Sequence, residues 1–108
     1  MRTLKFKVMG MTLVRDDQCN FDGLVPGSEG YIQAEFSFSP DWDDCVKVAA
    51  FYSMFGKEYP PQELKDDKCL IPAEALAKRS FKIQVLGKKQ SYKIMSSKLT
   101  INQDGGAV

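Results

Sequence analysis

The sequence predicts an all-β domain, an antiparallel sandwich or small barrel of about seven or eight short strands with one short helical turn. Three observations predict it. Apolar residues recur at every second position in several short runs. Turn residues punctuate the chain about every 8 to 12 residues, and a single stretch has helix character. A chain of 108 residues suits one domain with a modest core.

The runs follow in order. "LKFKV", residues 4–8, sets Leu4, Phe6 and Val8 on one face and Lys5 and Lys7 on the other. Gly10 permits a bend into "MTLV", residues 11–14, and the polar "RDDQCNFDG" is loop. "LVPGSEG" carries the turn chemistry of Pro26, Gly27 and Gly30. "YIQAEFSF", residues 31–38, is the most regular strand, and Pro40 ends it by biasing Ser39 toward an extended shape. "VKVAAFYSMF" resumes strand character, whereas "GKEYPPQELKDDK" is irregular because Pro60 and Pro61 have no N–H to give a ladder. "CLIP" is a brief strand leading into "PAEALAKR", where Pro72 suits the first position of a helical turn. "FKIQVLG" alternates with Phe81, Ile83 and Val85 inward, "KKQS" turns, and "YKIM" returns as its hairpin partner. "KLTIN" closes the core with Leu99 and Ile101. The sandwich domain therefore spans residues 3–102, with residues 103–108 a flexible tail.

Composition narrows the function classes. Apolar content of 44% and charged content of 27% are ordinary for a globular domain. The longest apolar run, Val48 to Tyr52, is far shorter than a bilayer span, and the opening "MRTLKFKVMG" lacks the apolar block of a signal peptide. The expected site of synthesis is the cytoplasm, with no membrane partner. Cys19, Cys45 and Cys69 form no CxxC pair, and an odd count without a secretion signal reads as reduced thiols. The chain has no histidine, which removes the commonest general base and the Ser-His and Cys-His nucleophile designs. Charge is unevenly spread: residues 1–77 hold 8 Lys/Arg against 13 Asp/Glu, residues 78–108 hold 7 against 1, and no acid lies between Lys78 and Lys98. Such asymmetry marks a nucleic-acid surface, a docking pair of opposite charge, or solvated strand faces.

Three groups of side chains are candidates for function. Asp41, Asp43 and Asp44 around Trp42 have the chemistry of paired carboxylates or of a hard-cation site, but the run is short and lacks the glycine of a calcium loop. The favoured reading is a structural corner formed by Asp41, Trp42 and Asp43, with aspartates capping turn amides and the indole N–H reaching a backbone carbonyl. Lys88, Lys89, Lys93 and Lys98 with Tyr92 make a basic hairpin that offers one aromatic, where single-strand binders present several; a lysine-rich edge that discourages aggregation is the alternative. Met9, Met11, Met54, Phe55 and Tyr59 lie where alternation breaks down, either as an exposed apolar patch or as core filling. No glycine-rich phosphate loop is present, and no cofactor, metal or small-molecule substrate is implied.

The order "LKFKVMGMTL", "VPGSEGY", "AEFSFSPDWDDCVKVAAF", "KCLIPAEAL", "FKIQVLG" and "KIMSSKLTI" resembles the N-terminal domain of baseplate upper proteins and related minor structural proteins of tailed phages of Gram-positive bacteria. The resemblance runs from about residue 3 to residue 102. It implies an immunoglobulin-like β-sandwich without enzymatic activity, made in the bacterial host cytoplasm and carried in the virion. Asp41 and Trp42 match the family's aspartate-tryptophan pair, Val46 to Phe51 its next strand, and Ile71 and Pro72 the step before its helical turn; no catalytic residue transfers. Relatives usually carry the domain at the front of a longer chain, so a copy ending at Val108 is expected to be a capsid or tail decoration protein, or one recruited elsewhere. The implied partners are other phage structural proteins or further copies of itself. Two other functions stay open: an inhibitor of a host defence or nucleic-acid enzyme, using Asp16, Asp17, Asp41, Asp43 and Asp44 as a phosphate mimic, and nucleic-acid binding by Lys78 to Lys98.

Overall fold

The alternation is realised as nine strands. The computed structural model describes residues 1–104, and its strands are β1 (Arg2–Met9), β2 (Thr12–Arg15), β3 (Ile32–Phe38), β4 (Val46–Tyr52), β5 (Gln62–Glu63), β6 (Lys68–Leu70), β7 (Ser80–Lys88), β8 (Lys93–Met95) and β9 (Leu99–Asn102). They form two sheets packed as a sandwich. One has the order β2-β1-β3-β6; the other has β5-β4-β7, with β8 and β9 sharing the far side of β7. Leu4, Phe6, Val8, Ile32, Ala34 and Phe36 from the first sheet meet Ala49, Phe51, Phe81, Ile83, Val85 and Ile101 from the second, all buried. Period-two burial thus closes one core between two layers.

One pairing among the described residues departs from the antiparallel expectation. β1 and β3 run parallel, from Arg2 opposite Ile32 to Val8 opposite Phe38. A parallel pair needs a crossover of about a dozen residues or more. The stretch between β2 and β3 supplies it: Phe21 packs edge-on against Phe6, Leu24 is buried, and the Arg2 guanidinium donates to the Asn20 and Asp22 carbonyls. These anchors return the chain to the start of β1 instead of letting it turn back beside β2.

Three further details correct the sequence reading. Pro72 stands just ahead of the helix α1 (Ala73–Leu76) instead of opening it, and its carbonyl accepts the Ala75 and Leu76 N–H groups. The stretch after Gly56 is not wholly irregular, since β5 pairs with β4 beyond the two prolines. The ordered chain also runs past residue 102. Gln103 is buried, its amide nitrogen donates to the Leu76 and Lys78 carbonyls, and the Asp104 N–H donates to the Leu24 carbonyl. The rest of the expected tail, residues 105–108, lies outside the described residues.

Two ties near the start of β2 join the sheets, in addition to the Arg15 guanidinium, which donates to the Thr100 carbonyl of β9 at 3.3 Å. Between the β7–β8 and β7–β9 pairings, Gln84 and Val85 face three residues, 96 to 98, which is a β-bulge. The bulge frees Ser97 from the ladder, so its N–H donates to the Met11 carbonyl at 2.7 Å and its hydroxyl accepts the Leu13 N–H at 3.1 Å. The second tie is Trp42, at the end of a 3₁₀ turn, Pro40–Trp42. Its indole is fully buried, packs on Phe38 at 5.2 Å, and donates its N–H to the Gly10 carbonyl at 2.8 Å. A Cβ at Gly87 would lie 2.8 Å from indole atoms Cε3 and Cζ3, so β7 passes under the ring only as glycine. Gly87→Ala is therefore expected to cost roughly 1–3 kcal/mol, the usual range for overpacking. Chemical denaturation will measure it, and adding Trp42→Phe should cost less in the Gly87→Ala background than in the native chain.

Candidate docking surfaces

At the corner the aspartates do less than the sequence promises. The Gly10 N–H is capped by the Ser39 hydroxyl at 2.9 Å, and that hydroxyl donates to Asp41 Oδ2 at 3.3 Å. Asp43 engages through its backbone, its N–H donating to the Pro40 carbonyl. Asp44 takes a positive φ of 64°, so its backbone turns the chain into β4. Among the described residues no group of three or more His, Cys, Asp or Glu side chains converges in a way that could hold a metal ion. Asp16 and Asp17 follow the far end of β2 from the Gly10 turn, while Asp41 lies beside that turn. The five aspartates considered as a phosphate mimic therefore do not form one patch.

The basic hairpin divides into two functions. Tyr92 donates its hydroxyl to the Asp41 carbonyl, and Lys89 Nζ lies 4.4 Å from the Tyr92 ring centre and donates to the Asp43 carbonyl at 3.3 Å. The Lys89 pKa is raised, first by its hydrogen bond with Tyr92. Tyr92 and Lys89 thus clasp the hairpin to the corner. Lys88 and Lys93 pair directly across β7 and β8 and are exposed.

The 53–59 stretch divides too. Tyr59 is buried, which corrects its place among exposed interaction residues: its N–H donates to the Phe51 carbonyl, and that register turns the ring inward. Phe55, three residues past the end of β4, is 100% exposed and Met54 partly so. The tip that carries them is held by its own hydrogen bonds. Ser53 Oγ accepts the N–H groups of Phe55 and Lys57, the Ser53 N–H donates to the Lys57 carbonyl at 2.8 Å, and Gly56 takes φ +93°. Beneath the tip lies an open groove of about 710 Å³ lined by Met54, Phe55, Tyr59, Lys57, Lys78 and Arg79. Apolar walls and three cations meet there.

A fourth surface escaped the sequence reading. On the outer side of the second sheet, register aligns Glu63, Val48, Leu86 and Met95 in one row across β5, β4, β7 and β8. The neighbouring rows are Val46, Lys88, Lys93 and, toward the other end, Tyr52, Lys82, Thr100. Lys98 Nζ sits 4.3 Å from the Tyr52 ring centre on this face. The outer side of the first sheet is different, with Lys5, Glu35 and Lys68 in register and an ion pair between Lys68 and Glu35. The available signal was "VKVAAFY": a strand with one wet face should alternate, and here Val46, Val48 and Ala50 are apolar on the face that ought to be polar.

Comparison of the chain with protein-family models, with curated proteins and with solved structures finds no match.

Cys69, on the inward side of β6, behaves as a small apolar core residue, and burial pushes its thiol pKa from an ordinary 9.0 up to about 12. Because the folded thiol keeps its proton through that window while the unfolded thiol loses it, stability falls as pH rises from about 9 toward 12. Tyr52, raised first by burial and then by the Glu58 charge, adds a contribution of the same sign. Cys69→Ala should flatten this alkaline decline in denaturation midpoints. In the native chain a thiol reagent at about pH 8, below the ordinary thiol pKa, should label Cys69 only on unfolding.

Proposed function

We propose that the chain is a non-enzymatic structural protein of a tailed-phage or prophage virion, a sandwich module that acts by docking on other proteins of the particle. The observation that carries docking is Phe55. A fully exposed phenyl on a turn held by four hydrogen bonds is presented at little entropic cost, next to a groove with apolar walls and cationic corners. Rigid aromatic anchors that fill a partner's pocket carry much of the energy of protein interfaces. The virion context rests on the resemblance of short motifs between residues 3 and 102, and with it the immunoglobulin-like kinship of the sandwich. On this reading the chain is made in the cytoplasm of a bacterial host and leaves in the particle.

A second reading, nucleic-acid binding by Lys78 to Lys98, is favoured by one observation: Lys82, Lys88, Lys93 and Lys98 all belong to the outer face of one sheet. It carries its own signature, since phosphate contacts make affinity fall steeply and log-linearly with salt.

Particles purified from a host that carries the gene should contain the chain in fixed copy number. Phe55→Asp should be depleted from them at least tenfold, while its unfolding free energy stays within about 0.5 kcal/mol of the native chain, as for surface substitutions generally. Absence of the native chain from purified particles, with salt-sensitive retention on DNA or RNA, would transfer the assignment to the second reading.

A further inference from the structure

We infer that the outer face of the second sheet is a homodimer interface, in which two copies pack face to face about a twofold axis running parallel to β4 and β7. The inference rests on the docking reading but uses a different surface from the Phe55 groove.

The charge layout argues for a second copy. Val46, Val48, Ala50 and Tyr52 stand outward on β4, which carries no outward charge. β7 contributes Lys82, Gln84, Leu86 and Lys88, and the far side adds Lys93, Met95 and Lys98. The opposite edge places two carboxylates on this face: Glu63 lies opposite Val48 and Glu58 opposite Tyr52. Base therefore lies on one side of the face and acid on the other, with an apolar row between.

An axis along the strands, passing between β4 and β7, lays β4 of one copy over β7 of the other and β5 over β8. Val48 then meets the partner's Leu86 twice, Tyr52 meets the stem and charge of the partner's Lys82, and Glu63 reaches the side that carries Lys93. An axis across the strands would instead stack β7 on β7, lysine against lysine. The layout thus selects one orientation of the pair as well as the face.

The shape fits the same geometry. Two adjoining hollows share Val48 and Leu86, one of about 190 Å³ reaching to Pro61 and Glu58 and one of about 420 Å³ reaching to Val46 and Lys93. β5, β4, β7 and β8 contribute 2, 7, 9 and 3 residues, which at about 3.4 Å per residue and about 4.8 Å between strands give a footprint of roughly 340 Å². That is below the roughly 800 Å² per partner of a standard stable interface. The dimer is accordingly weak and reversible with dilution.

Sedimentation equilibrium on the full chain from about 1 µM to about 1 mM, the range of weak association, reads the outcome. The mass should rise from one to two chains across the range and go no further. Leu86→Lys and Glu63→Lys should each weaken dimerisation at least tenfold, and Lys93→Glu added to Glu63→Lys should recover most of the loss. Because both positions face outward, melting curves check that each variant folds. A monomer throughout the range overturns the inference, as does a dimer indifferent to all three substitutions. Failure of this dimer would leave particle incorporation through Phe55 intact, whereas failure of the docking reading would remove Phe55-dependent incorporation without altering the solution mass.

Discussion

The sandwich depends on the seating of one indole. Trp42 sits where the turn after β1, the end of β3, the entry to β4 and the C-terminal half of β7 come together, and it is the largest fully buried side chain. Its N–H satisfies the Gly10 carbonyl, its face covers Phe38, and its six-membered ring occupies the space that any side chain at Gly87 would need. A buried indole is stable only with its N–H paired, and here that pair fixes the spacing of the two sheets at one end. Beside it, Ser97, released by the bulge, bonds Met11 and Leu13 of the first sheet, and at the far end of β2 the Arg15 guanidinium donates to the Thr100 carbonyl of β9. Elsewhere in the core the layers meet through apolar side chains.

That arrangement uses the acidic knot around Trp42 as a structural corner. The backbone there is committed to turn bonds, and the carbonyls of Asp41 and Asp43 receive Tyr92 and Lys89 from the neighbouring hairpin. The polar groups are spent on holding the corner, which leaves the carboxylates at the surface. Apolar surface that the single sandwich leaves wholly or partly exposed lies elsewhere: Phe55 on its rigid turn, and the row formed by Val48, Leu86 and Met95. These two surfaces differ in kind. The first is a protruding anchor beside a cationic groove, suited to a pocket on a different protein. The second is a broad face with opposite charges on its two edges, suited to a copy of itself.

The contrast between the two outer faces supports this division. Lys5, Glu35 and Lys68 alternate in sign across the first sheet, and Gln33 donates to Thr3 beside them. Such a face has its charges matched within one chain and gains little from a partner. On the second sheet the lysines and carboxylates are separated by a strand without outward charge, which leaves them unmatched within one chain's face.

Much of the architecture is local and therefore legible in the sequence. Which side chains of "LKFKV", "YIQAEFSF" and "FKIQVLG" point inward follows from a period of two, and the end of β3 at Ser39 follows from proline geometry; neither needs knowledge of the neighbours. Burial of Trp42 and the carbonyl its N–H seeks follow from the cost of an unpaired indole. Only the tertiary structure decided the rest, because each remaining feature depends on pairing between distant segments. The parallel match of β1 with β3 depends on where the crossover is anchored. The inward turn of Tyr59 and the outward exposure of Phe55, four residues apart, depend on register against Phe51. Likewise the row from Glu63 to Met95 joins residues from four separate strands. Register is a property of pairs of strands, and a one-residue slip in either partner would send each of these side chains to the opposite face.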